Sequence, residues 1–202
     1  EAMKTDARRL NTTLSDFLLF ARPREPLRQM GDIGRIVEHV SALLQEERNG
    51  RGGVQVDVRV DPTIPQFAFD ADQLTQVLWN IARNGIEAMQ GRGRLSLDVG
   101  RRNGEVLINV ADTGPGIPPE KLDRIFDAFV QVDRRLNQPV QGVGLGLAIS
   151  QDLAHAMGGK VTVESVLGEG STFTLYLPVD YNEAVIAALP VPTVRPSARA
   201  MR

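Results

Sequence analysis

Hydrophobic residues in this chain switch between two periods, and the order of the switches limits it to a layered α/β architecture. Val54, Val56, Val58 and Val60 alternate with polar residues, as do Leu95, Leu97 and Val99, then Val106, Ile108 and Val110. A period of two marks half-buried strands. Around them, a period near 3.6 marks helices. Ile33, Ile36, Val37, Val40 and Leu44 share one face of a helix that Asp32 caps and that runs to about Arg48, ended by Gly50, Gly52 and Gly53. Leu74, Leu78, Ile81 and Ala88 share one face of a long helix from a cap at Asp70 to about Met89. Gln66 to Phe69 reads as a further short strand, and Arg102-Asn103-Gly104 has hairpin-turn chemistry. A second long helix begins near Gly144 and ends at Gly158-Gly159; Lys160–Val166 and Ser171–Leu177 then form a hairpin around Leu167-Gly168-Glu169-Gly170. Strand pairs interrupted by long helices predict an α/β (α+β) two-layer sandwich, a mixed and mostly antiparallel sheet with helices on one face.

The first 22 residues stand apart. Met3, Ala7, Leu10, Leu14, Phe17 and Ala21 recur at alternating spacings of four and three, the seam of a coiled coil or helix bundle. Pro23 and Pro26 end that helix. One amphipathic helix of this length cannot bury its seam alone, so the seam implies a partner helix or packing on the main domain. The organisation expected is a bundle helix over 1–24, a short polar linker over 25–32, a catalytic-sized domain over 33–180 and an irregular tail over 181–202 that carries Pro190, Pro192 and Pro196.

Composition excludes several classes. The 202 residues include no cysteine, which rules out a disulfide framework, zinc knuckles and thiol catalysis and suits a reducing cytoplasm. A net charge of -2 gives no basic excess for neutralising nucleic-acid phosphates. No apolar run approaches the roughly 18 residues of a membrane span, so an anchor, if the parent protein has one, is expected outside this segment.

Three segments carry chemistry. On the helix from Asp70, Gln76, Asn80, Asn84 and Glu87 form a polar stripe at spacings of four, four and three. Asparagine is a poor mid-helix residue, and two on one face ask for a reason. A neutral amide oxygen is a ligand that Mg²⁺ accepts beside waters and phosphate oxygens, so Asn84 is assigned to the metal and Asn80 to a metal-bound or attacking-side water; a solvated polar face is the other reading. Asp112-Thr113-Gly114-Pro115-Gly116 leaves the apolar strand Val106–Val110. A part-buried carboxylate there needs good donors, and adenine's exocyclic amine is one, while Gly114 and Gly116 let a ring approach the backbone; alone, the segment also fits an ordinary turn. Gly142-Val143-Gly144-Leu145-Gly146 runs into Leu147-Ala148-Ile149, and closely spaced glycines at a helix start expose N–H groups to an anion such as phosphate. It is neither a Walker A loop nor a dinucleotide fingerprint. Between the loops, Phe126 and Phe129 read either as anchors of a closing loop or as core, and Arg134 and Arg135 as contacts of a terminal phosphate or as solvated surface.

In order and spacing, Asn80-Ile-Ala-Arg-Asn84, Asp112-Thr-Gly-Pro-Gly116, Ile125-Phe-Asp-Ala-Phe129, Gly142-Val-Gly-Leu-Gly146 and Gly168-Glu-Gly-Ser-Thr-Phe173 resemble the N, G1, F, G2 and final glycine boxes of sensor histidine kinases. The resemblance covers about residues 32–178 and is nearest to the nitrogen-regulation branch. Phe17-Leu-Leu-Phe-Ala-Arg-Pro23 is similar to the second helix of that family's dimerisation hairpin. The resemblance implies a Bergerat ATP-binding fold and the cofactors ATP and Mg²⁺. It implies transfer of the γ-phosphate to a histidine on the hairpin, then to a response-regulator aspartate, and a homodimer built through the hairpin. It also implies nucleotide contacts from Asn84, Asp112, Gly114, Gly116, Ile117, Phe126, Gly142, Val143, Gly144, Leu145, Gly146, Leu147 and Thr172, with Asn80 and Asn84 as the catalytic pair.

Two departures stand out. His39 is followed by Val-Ser-Ala and His155 by Ala-Met-Gly, so neither has the acid and proline that follow the family's phosphoacceptor. The acceptor is expected before residue 1, which makes this chain a C-terminal fragment. Gln131 stands where many relatives carry a phosphate-reaching arginine. The alternatives are an ATPase or serine kinase of the same fold, and a non-catalytic nucleotide-binding dimerisation module. Hydrolases of this fold need a carboxylate base where Asn80 stands, and an amide cannot take a proton from water.

Overall fold

The computed structural model describes residues 24–47, 53–130 and 144–179. Along these residues the order is β1 (Gln29–Gly31), α1 (Ile33–Glu47), β2 (Gly53–Val60), β3 (Phe67–Phe69), α2 (Ala71–Ala88), β4 (Arg92–Arg102), β5 (Glu105–Asp112), α3 (Pro119–Leu122), α4 (Gly146–Ala156), β6 (Lys160–Val166) and β7 (Gly170–Pro178). The N-terminal seam helix, the stretch holding Gln131, Arg134, Arg135, Gly142 and Val143, and the C-terminal tail lie outside the described residues.

Five strands form one sheet in the order β2-β4-β5-β7-β6. The β2–β4 pair is parallel and the other three pairs are antiparallel. The β4–β5 hairpin closes through Asn103 (φ 53°) and Gly104 (φ 81°), the two left-handed positions that a tight twisted hairpin needs. Leu95, Leu97, Val106, Ile108 and Leu175 are fully buried on one face. Against them α1 packs Val37, Val40 and Leu44, α2 packs Leu74, Val77, Leu78 and Ile81, and α4 packs Ile149 and Leu153. Each such side chain stabilises the fold by about 1.5–3 kcal/mol. The other face is polar, where the Thr174 hydroxyl donates to Asn109 Oδ1 across β5–β7 at 2.9 Å. This is the two-layer, mixed and mostly antiparallel sandwich that the periodicity predicts.

Residues expected as a plain linker are part of this domain. Gln29–Gly31 pairs antiparallel with Phe67–Phe69 as a separate two-stranded sheet. Three residues are too few to show an alternating pattern, and backbone pairing decides the matter. The linkage is fastened at Asp70, which is 2% exposed. Its carboxylate caps α2 by accepting the Gln73 N–H at 3.0 Å, accepts the Leu27 N–H at 2.7 Å and pairs with Arg24 at 3.0 Å. Burial pushes this carboxyl up, but the two N–H groups and the Arg24 guanidinium outweigh it and hold it below the usual carboxylate range. The second long helix starts at Gly146, two residues later than the glycines suggested, because Gly144 sits at φ 75°.

Candidate functional site

α2 brings Asn80 and Asn84 to the same side of the domain, one turn apart and both half-buried. The Asn80 amide donates to the Gly146 carbonyl at 3.2 Å, tying the middle of α2 to the first turn of α4. Among the described residues, the Asn84 side chain makes no hydrogen bond, which leaves its amide oxygen available. Gly85 follows it, and a Cβ there would lie 3.1 Å from both Asp112 Cβ and Leu95 Cδ1. The missing side chain lets α2 lie directly on the end of β5.

Asp112 ends β5 on the helix-covered face, between Leu95 on β4 and Ser171 on β7. Its Oδ1 accepts the Gly114 N–H at 2.8 Å, and the Ser171 N–H also donates to the carboxylate. Burial pushes the carboxyl up, and these two donors offset only part of that. The group is therefore under-solvated in its ionised form and gains from a further donor. The loop beyond it is fastened at both ends of its turn: Gly168 N–H donates to the Pro115 carbonyl at 2.7 Å, and Ile117 N–H to Ser165 Oγ at 2.8 Å. Two glycines are required for this approach. Gly116 (φ 70°) faces the Val166 carbonyl, and Gly170 (φ 129°) the Asp112 carbonyl, so closely that a Cβ on either would overlap backbone.

Among the described residues, no side chain caps the head of α4: Leu145 is its N-cap residue and is buried, and the first-turn N–H groups of Gly146 and Leu147 are of the kind that suits an anion. Phe129 N–H donates to the Gly144 carbonyl at 2.9 Å, so the F segment and the second glycine loop meet. The two phenylalanines divide their roles. Phe126 packs edge-on against Phe173 with centroids 6.4 Å apart, whereas Phe129 is 55% exposed and is not core.

The contacts join α2 to the head of α4, Asn80 with Gly146, and to the end of β5, Gly85 with Asp112, while Gly116 and Ile117 are held against the β6–β7 turn and Phe126 against Phe173. Thr172 is a correction. It pairs with Ala111, on the opposite face of the sheet from Asp112, and the residue in register with Asp112 is Ser171. Alternation carried the signal: Phe173, Leu175 and Leu177 point to the core, so Ser171 shares their face and Thr172 does not. Ser165, missed in the sequence, completes that row on β6. Two clefts elsewhere, beside Asp32 and Gln66 and beside Arg24 and Phe69, contain none of these residues. Among the described residues no three His, Cys, Asp or Glu side chains cluster as a metal site. A lone amide at Asn84 fits Mg²⁺ when phosphates and waters complete the shell.

Fold and site together define a Bergerat-type nucleotide-binding domain. The chain belongs to the histidine kinase-, DNA gyrase B- and HSP90-like ATPase family, whose pattern matches residues 69–181, more than half of the sequence. It is similar to the sensor histidine kinase ZraS of Escherichia coli strain K12, 34% identical over 180 residues that cover 89% of this chain and 37% of ZraS. It is also similar to the aerobic respiration control sensor protein ArcB of the same strain, 39% identical over 144 residues, 69% of this chain and 18% of ArcB. Among solved structures, full-length ShkA in complex with AMPPNP superimposes with a TM-score of 0.78 at 32% identity, over 90% of this chain and 38% of that one. The chain therefore spans well under half the length of these proteins. Among the described residues, no helix is long and apolar enough to cross a membrane.

Proposed function

We propose that this chain is the ATP-binding catalytic part of a two-component sensor histidine kinase, which transfers the γ-phosphate of ATP to a histidine on a dimerisation hairpin for relay to a response-regulator aspartate. The observation that carries the reading is the convergence of Asn84, Asp112 and the open head of α4, held together by the Asn80–Gly146 bond and the close packing of Gly85 on Asp112. Asp112 accepts the adenine amino group, the glycine turn gives the ring access, and the first-turn N–H groups of α4 face the phosphates. Asn84 holds Mg²⁺, which when bound neutralises phosphate charge. The work of the protein is positioning and charge stabilisation. The seam over residues 1–22 pairs two copies in a homodimer, and the dependence on ATP puts the domain in the cytoplasm, with any membrane anchor outside this segment.

Two observations weigh against hydrolysis and self-acceptance. Asn80 has no carboxylate to accept a proton from water, and its amide is engaged by Gly146. His39 is exposed on α1, while His155 Nδ1–H donates to the Gln151 carbonyl one turn earlier at 2.8 Å, so each has an ordinary surface or helix-end role. The test is incubation of labelled ATP with this chain extended by the hairpin's first helix. Acid-labile, base-stable label on a histidine supports the reading; acid-stable label would make the protein a serine kinase.

A further inference from the structure

One row of side chains crosses three strands on the helix-covered face: Asp112 on β5, Ser171 on β7 and Ser165 on β6, each in register with the next. Ser165 is saturated. Its Oγ accepts the Ile117 N–H at 2.8 Å, donates to the Gly170 carbonyl at 2.8 Å and lies 3.0 Å from Ser171 Oγ. A hydroxyl has one proton. A carbonyl cannot donate, so the Ser165 proton goes to Gly170, and in the Ser165–Ser171 contact Ser171 is the donor. Ser171 has then used its only proton, and its oxygen retains lone pairs alone. Beside it, the Asp112 carboxylate is also an acceptor. The floor of the base-binding site proposed above is thus set to one polarity by a residue that stands two strands away from the acid.

We propose that Ser165 is a positioning residue for the nucleobase, orienting the Ser171 hydroxyl so that the floor accepts a purine carrying an exocyclic amino group and rejects one carrying a carbonyl at that position. This rests on the nucleotide reading above. Without Ser165, the Ser171 proton is free to turn toward the pocket and donate to a carbonyl, and the Ile117 N–H loses its partner. Discrimination by a fixed acceptor follows from the cost of facing two acceptors together, or of leaving a buried polar group unpaired.

The experiment is competition of ATP and GTP against a fluorescent ATP analogue on this chain, with Mg²⁺ present. The wild type is expected to prefer ATP. Ser165→Ala is expected to weaken ATP by about fivefold, the scale of one hydrogen bond, and to narrow the ATP-to-GTP ratio by about tenfold. Ser165→Thr, which keeps the hydroxyl, is expected to restore both. A loop that merely loosened would weaken the two nucleotides equally and leave the ratio unchanged, and that result would overturn the proposal. If Ser165→Ala does not fold by circular dichroism, Ser171→Ala decides: it removes the acceptor, so its ratio must narrow too, and an unchanged ratio rejects the idea. A wild type that binds no ATP would instead sink the nucleotide reading itself.

Discussion

The side-chain amide of Asn80 and the backbone carbonyl of Gly146 are 66 positions apart in sequence and 3.2 Å apart in space. This bond joins the asparagine helix to the head of α4, and α2 and α4 are packed along one another around it. Asn80→Ala is expected to cost about 1 kcal/mol of stability and to lower the melting temperature by roughly 2–4 °C. ATP affinity should fall with it, since the two helices then no longer hold a common geometry. Thermal melting and calorimetric titration check both, and a variant that melts and binds like the wild type would show the bond to be incidental.

In the proposed function, Asp112 sets stability against binding. Its carboxyl is pushed up in the fold, so folding disfavours the ionised form. The cost is absent below the unfolded value of about 3.9 and is incurred as pH rises through the window up to the raised folded value. Asp112→Asn is therefore expected to melt at or above the wild type at pH 7, with the gap closing in acid, while ATP affinity drops by more than about tenfold through loss of a charged acceptor. Unchanged affinity would refute the adenine assignment.

Asp70 has the opposite sign. Its carboxyl is held low by Gln73, Leu27 and Arg24 against the effect of burial, so its contribution is present above the unfolded value and is lost as pH falls through the folded one. Asp70→Ala is expected to lower stability at neutral pH by about 1–2 kcal/mol through the lost helix cap. Urea denaturation at a series of pH values should show the difference from wild type shrinking toward strongly acidic pH.

Gly168 and Gly170 share a turn and both have positive φ, but their surroundings differ. A Cβ on Gly168 meets nothing within 4 Å, whereas one on Gly170 would run into the Asp112 backbone. Gly168→Ala should cost only the left-handed conformation, about 1–2 kcal/mol. Gly170→Ala must also part β7 from β5 and is expected to cost considerably more and to weaken ATP binding. Equal unfolding midpoints in urea would contradict this.

Asn84→Ala should leave the circular dichroism spectrum unchanged and abolish the Mg²⁺ dependence of ATP binding, because the side chain has no hydrogen bond to lose among the described residues. Titration with and without Mg²⁺ reads this directly, and retained metal dependence would make Asn84 structural.

Much of this was legible in the linear chain because the relevant physics is local. Alternation in Leu95–Val99 and Val106–Val110, the Asp32 and Asp70 caps and the Asn103-Gly104 turn each depend on neighbours within a few residues, and each stands in the fold where its pattern puts it. What tertiary structure alone decided is non-local. Whether β2 joins β4 in parallel, whether Gln29–Gly31 finds Phe67–Phe69, and which carbonyl receives the Asn80 amide depend on segments far apart in sequence. Register made the finest of these decisions, since a shift of one residue reverses every side chain: it set Ser171 rather than Thr172 beside Asp112.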